Sequence, residues 1–98
     1  MNSKKRAFLK KKAHNLEAIV RIGKDGLNQN IIQSILDAIE SRELIKVKIL
    51  QNCEEDKDEV AQILSERTSS ELVQVIGHTI VLYKQSSKEK YRKIELVK

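Results

Sequence analysis

The stretch Val20-Arg21-Ile22-Gly23-Lys24-Asp25-Gly26-Leu27-Asn28 restricts the fold more than any other part of this chain. Val20 and Ile22 flank Arg21 in the alternation of a strand, whereas the apolar spacing from Ile31 onward is that of a helix. A loop bracketed by Gly23 and Gly26 joins the two, so the chain opens an α/β crossover here. The glycines let the backbone come close to a ligand, and Lys24 supplies a cation between them. A helix starting near Asn28 turns its unpaired N–H groups and positive dipole end toward the same place. That arrangement suits a phosphate. A plain strand-to-helix turn needs the same spacing, so the loop alone leaves both readings open.

Ahead of this stretch, Lys4 to Leu16 has the pattern of a helix, with Leu9, Ala13 and Leu16 on one stripe and Phe8 beside it. Lys4 and Lys11, and Lys5 and Lys12, stack on its solvent side with Arg6 and Lys10. So many cations repel one another unless an anion lies nearby, although a solubilising helix would carry them too. Ala18 to Ile22 is the first strand. From Asn28, a fitting N-cap, the second helix runs to about Arg42 and buries Ile31, Ile32, Ile35, Leu36 and Ile39.

Glu43 to Leu50 is the clearest strand: Ile45, Val47 and Ile49 face one way, Leu44, Lys46 and Lys48 the other. Helices packed on one side of a sheet leave the opposite face to solvent or a ligand, and Arg21 falls on that outer face with the two lysines. They serve either a ligand or plain solubility. Glu54, Glu55, Asp56, Asp58 and Glu59 precede Val60, Ile63 and Leu64, and so occupy the start of a third helix, where they complement its dipole. This acidic part is expected to stay away from any polyanion. Leu72–Ile76 and Thr79–Lys84 are strands joined by a Gly77-His78 hairpin turn. Residues 1–84 thus read as one domain, and 85–98 as a basic tail, flexible or forming a short extra element. The expected fold is α/β: a small two-layer sandwich with a mixed four-stranded sheet, in the order α-β-α-β-α-β-β.

Charge narrows the function. Residues 1–26 carry eight Lys/Arg against two Asp/Glu, a net of +6; residues 27–83 carry five against ten, a net of −5; residues 84–98 carry six against two, a net of +4. Segregation of this kind implies one basic and one acidic face. Nucleic acid is the commonest partner of a small basic domain. A membrane surface fits less well, because no segment joins lysines to a continuous bulky apolar stripe. No apolar leader or long apolar run is present, and one cysteine cannot form an internal disulfide, so a cytoplasmic protein is expected.

The residues also exclude most chemistry. His14, His78 and Cys53 have neither paired zinc-ligand spacing nor the context of a nucleophile and its base. The glycine loop is not that of a nucleotide hydrolase, since its lysine lies inside the glycines and no hydroxyl follows. The acidic run lacks the alternating ligands and glycine of a calcium loop. An enzyme, a metal and a cofactor are therefore not expected. Phe8, Tyr83 and Tyr91 are the only aromatic residues, too few for a sheet that stacks unpaired bases. Recognition would rest on cations and loop amides meeting phosphates, which suits structured RNA.

At these residues the chain resembles the CRM domain family in its single-domain bacterial, YhbY-like form. The resemblance lies in Ala13-His14-Asn15-Leu16 closing a basic helix, Val20 to Leu27, Arg42-Glu43-Leu44-Ile45-Lys46-Val47-Lys48, Val73-Gln74-Val75-Ile76-Gly77 and Val81-Leu82-Tyr83-Lys84. It departs from the family at Glu17-Ala18, where a proline is frequent, and at Asp25 in the loop. The resemblance implies a fold similar to the C-terminal domain of bacterial initiation factor three. It also implies RNA binding at the glycine loop and nearby basic surface, and association with precursors of the large ribosomal subunit during assembly. The expected site comprises Gly23, Lys24, Asp25 and Gly26, with Lys4, Lys5, Arg6, Lys11, Lys12, Arg21, Lys46 and Lys48. The partner would be ribosomal RNA, bound by a monomer. Two alternatives remain: a KH-like module, in which a helix should precede the loop, and a basic adaptor that docks an acidic protein.

Overall fold

Each helix starts where the chain offers a side-chain acceptor to an amide of its first turn. In the computed structural model, which describes residues 1–92 and 94, α1 spans Ser3–Ala13, and Asn2 Oδ1 accepts the Lys5 N–H at 2.8 Å. The second helix, α2 (Gln29–Arg42), is capped by Asn28, whose Oδ1 accepts the Ile31 N–H at 2.9 Å. Asp56 does the same for α3 (Lys57–Thr68), accepting the Glu59 N–H at 3.1 Å. A short 3-10 turn covers Glu89–Tyr91.

The strands are β1 (Ala18–Ile22), β2 (Leu44–Ile49), β3 (Glu71–Ile76) and β4 (Thr79–Tyr83), and they lie in the order β1-β2-β4-β3. The β1–β2 pair is parallel, with α2 as its crossover; the other pairs are antiparallel. The α/β class, the element order and the mixed sheet are those expected. A strand leads into the glycine loop, which separates the chain from the KH arrangement.

The layering needs a correction. Helices α2 and α3 cover one face, where Ile32, Ile35, Ile39, Val60 and Leu64 pack on Ile22, Ile45, Val47, Ile80 and Leu82. The other face, expected to be bare, holds α1: Leu9 and Ala13 bury against Leu44, Val73, Val81 and Tyr83. The sandwich therefore has three layers, with α1 over part of the second face. The reason lies in the central strands, whose apolar residues point both ways, so each face needs a cover.

Two bulges set which residues face where. In β3, Leu72 pairs with Leu82 but Gln74 with Val81, so Val73 is the extra residue and Val73 and Val75 end up on opposite faces. The diverging carbonyls of Leu72 and Val73 both accept hydrogen bonds from Arg6 Nη1, that to Val73 at 2.8 Å. In β1 the register shifts between Ala18 and Val20, leaving Ile19 exposed.

Between α2 and β2 there is one residue, Glu43. To reverse the chain so abruptly it adopts φ 67°, and it is fully buried. Its carboxylate accepts the N–H groups of Ser86 (2.8 Å) and Ile94 (3.2 Å). The Glu40 carboxylate accepts the Ser87 N–H at 3.0 Å and the hydroxyls of Ser86 and Ser87. Residues 85–92 are thus tied along α2; residues 93 and 95–98 of the basic tail lie outside the described residues.

Candidate nucleic-acid interface

Helix α1 leaves part of its sheet face open, and strand register decides what stands there. Arg21 of β1 pairs with Lys48 of β2, Lys48 with Thr79 of β4, and Thr79 with Ile76 of β3. The next row holds Ala18, Lys46, Val81 and Gln74. With Lys10 and His14 of α1 and the Leu16–Ala18 connection as its wall, this surface forms an open groove of about 650 Å³.

The groove is basic and not neutralised. Arg21 and Lys48 stand side by side on adjacent strands, a placement that destabilises like charges. Neither forms an ion pair among the described residues, nor does Lys10. Lys46 Nζ donates to the His14 carbonyl at 3.3 Å, at the C-terminal end of α1, where a helix is negative. Glu17 is the one acid in the lining. Unbalanced cations in a concavity focus a positive potential that attracts polyanions.

Lys48 also lines a second hollow, of about 570 Å³, with Gln51, Asn52 and His78, so the surface continues to the end of the sheet. The glycine loop lies at this end, where the Leu50 N–H donates to the Ile22 carbonyl at 2.8 Å. A β-carbon on Gly23 would sit 3.2 Å from Asn52 Oδ1. Lys24 and Asp25 are exposed at the loop tip, whereas Gly26 is buried with φ +62°.

Two amides at the C-terminal side of the loop are engaged within the protein. The Gly26 N–H donates to the Gly23 carbonyl at 2.9 Å, and the Leu27 N–H to Glu55 Oε1 at 2.8 Å. The Glu55 carboxylate fills the space beside Gly26, where a β-carbon would come within 1.9 Å of it. One member of the acidic run therefore reaches the loop, against the expectation that the run stays clear of any polyanion site. It does so because the turn after β2 lies beside the turn after β1, a consequence of their parallel pairing. With these two amides used and Asn28 capping α2, what remains exposed is the loop tip, Lys24 and Asp25.

The cations expected on α1 divide. Lys4 and Lys11 point to solvent. Lys12 lies on the flank away from the groove, its Nζ 5.7 Å from the Phe8 ring centroid, in a hollow with Ser41, Arg42 and Ile94. Lys5 is half-buried, and Arg6 is committed to the β3 carbonyls. Lys10 and His14, which sequence reasoning left out of the site, are the α1 residues that line the groove. The signal for them was available: each follows by one position a residue of the buried Leu9–Ala13 stripe, about 100° around the helix.

Among the described residues, no three His, Cys, Asp or Glu side chains come together to hold a metal, and no helix is long and apolar enough to cross a membrane. The two groups with shifted acidity among the described residues lie outside the groove. Hydrogen bonding, first from the Ser87 hydroxyl, holds the Glu40 carboxyl below its ordinary range. Burial, and then the Glu43 charge, pushes the Tyr83 hydroxyl up.

The chain is similar to known proteins over nearly its whole length. The CRS1 / YhbY (CRM) domain matches residues 1–84. The probable RNA-binding protein YqeI of Bacillus subtilis is 53% identical over 90 residues, which cover 92% of this chain and 94% of YqeI. An RNA-binding protein of Haemophilus influenzae is 36% identical, with 92% and 91% covered. The solution structure of SAV1595 from Staphylococcus aureus superposes with a TM-score of 0.78 at 48% identity, covering 97% of this chain and 99% of that one.

Proposed function

The chain belongs to the CRS1/YhbY (CRM) domain family, and from that footing we propose that it binds structured RNA through the groove beside α1. It is a binding domain and not an enzyme. The observation that carries the reading is the in-register pair Arg21–Lys48, held side by side without a carboxylate, with Lys46 and Lys10 beside it. Uncompensated like charges cost stability, and such a departure from local consistency is expected where a ligand supplies the missing charge. The names of the relatives in Bacillus subtilis and Haemophilus influenzae support RNA as that ligand.

The bound RNA is ribosomal, in precursors of the large subunit, and the protein acts as a cytoplasmic, monomeric assembly factor. Lys24 extends the contact at the end of the sheet. Lys4, Lys5, Lys11 and Lys12 contribute at longer range, as a field that draws the polyanion in.

Sedimentation of lysate on sucrose gradients tests the biological reading, and a salt titration of binding to a structured RNA tests the mechanism. The protein should co-migrate with a large-subunit precursor at low salt and leave it at high salt. With about six phosphate contacts, affinity should fall on the order of 10³-fold over a few-fold rise in salt. Arg21→Gln with Lys48→Gln should flatten that dependence by about two contacts. Salt-insensitive binding that ignores RNA competitors would point instead to an acidic protein partner.

A further inference from the structure

Cations alone do not tell RNA from DNA, because both offer the same phosphates. The groove, however, is only half cationic. Next to Lys48 in register stands Thr79, and next to Val81 stands Gln74, on the strands farther from Arg21. Both side chains are half-buried on the groove floor, and neither hydrogen-bonds to any described residue. Thr79 offers a hydroxyl and Gln74 a carboxamide, side chains that both donate and accept. The ribose 2′-hydroxyl also does both, and it is the group that distinguishes RNA from DNA. Adjacent strands are about 4.8 Å apart, so a phosphate held at Arg21 and Lys48 places its neighbouring sugars over the next strand.

We propose that Thr79 and Gln74 hydrogen-bond to ribose 2′-hydroxyls and give the groove its preference for RNA over DNA. The proposal rests on the groove being the polyanion site. It assigns a division of labour: the β1–β2 half takes phosphate charge, and the β4–β3 half takes the sugar edge. Ile76, 58% exposed beside Thr79, offers an apolar contact to the sugar ring in the same row.

The test compares one RNA hairpin with the same hairpin carrying 2′-fluoro sugars, which keep phosphates and A-form shape but lose the hydroxyl donor. Wild-type protein should bind the all-ribose hairpin about tenfold more tightly. Thr79→Val and Gln74→Met, which keep size and a β-strand or flexible side chain, should each lower that preference about threefold. They should act by weakening the ribose hairpin only, with the salt dependence and thermal unfolding unchanged. Equal wild-type affinity for the two hairpins would overturn the proposal, as would variants that weaken both hairpins alike or neither. Salt-dependent binding would in those cases leave the groove standing as a phosphate site. Salt-insensitive binding, or none, would remove the groove reading itself.

Discussion

Gly26→Ala should destabilise the protein through two separable effects, one of which can be cancelled. At φ +62° a β-carbon crowds the backbone, which costs about 1–2 kcal/mol. The same β-carbon would lie 1.9 Å from Glu55 Oε1, so the carboxylate must leave and its hydrogen bond to the Leu27 N–H is lost. The bond is exposed and water can replace part of it, so its loss is worth about 1 kcal/mol. Gly26→Ala should therefore cost about 2–3 kcal/mol in all, and Glu55→Ala about 1 kcal/mol. The double variant should cost little more than Gly26→Ala alone, because the bond can be lost only once, giving a coupling of about 1 kcal/mol. Urea unfolding with a common m-value measures all three variants. Additive effects would show that Glu55 does not occupy the space beside Gly26. Gly23→Ala is the control: its β-carbon meets only side chains, with the nearest atom 3.2 Å away in the Asn52 carboxamide, and should cost well under about 1 kcal/mol.

Other substitutions separate binding from folding. Lys10→Gln should reduce the salt dependence of RNA binding by about one contact, while Lys11→Gln, on the solvent side, should leave it nearly unchanged. Arg6→Met removes both hydrogen bonds to the Leu72 and Val73 carbonyls; it should lower stability by about 1–3 kcal/mol in thermal or urea unfolding and leave the salt slope of binding as it was. Lys24→Glu should weaken RNA binding several-fold, with stability changed by no more than about 0.5 kcal/mol, so wild-type affinity in a folded variant would remove the loop from the site. For Glu40 the folded carboxyl titrates below its ordinary 4.5, so its hold on Ser86 and Ser87 is fully present above that value and lost as pH falls through the lower one. Amide exchange at Ser87, corrected for its intrinsic pH dependence, should accelerate only once pH falls below 4.5, and protection unchanged on acidification would count against the latch.

How far the sequence reveals this fold depends on whether the deciding interaction is local. The Asn28 cap, the Ile32–Ile35–Ile39 stripe and the alternation of Ile45, Val47 and Ile49 are all set within a few residues, and they fall as their spacing requires. The position of α1 is not local. Its apolar stripe is narrow, only Leu9 and Ala13 being fully buried, and nothing in Lys4–Leu16 says which sheet face receives it. The answer lies far along the chain, in Leu44, Val73, Val81 and Tyr83. The bulge at Val73 adds a further step, because one inserted residue reverses the facing of everything after it, and periodicity read on either side cannot tell which half to trust.

The same distinction separates the parts of the site. Lys46 and Lys48 share a face because they are two apart on one strand, and Arg21 joins them because Val20 and Ile22 turn inward; both follow from period two alone. Glu55 could not be placed in this way. In a sequence Gly23-Lys24-Asp25-Gly26 has the form of a loop that opens to an anion, and the second glycine reads as room for a phosphate. In the fold that room holds a carboxylate of the protein's own, that of Glu55, and the Leu27 N–H is spent on it. A negative charge there disfavours a phosphate at the loop's base, so the proposed contact at this end is the lysine at its tip. The stronger positive field should then lie over the open sheet face, where Arg21, Lys46 and Lys48 share a lining whose one acid is Glu17, and the polyanion should lie along α1 with the loop at its end.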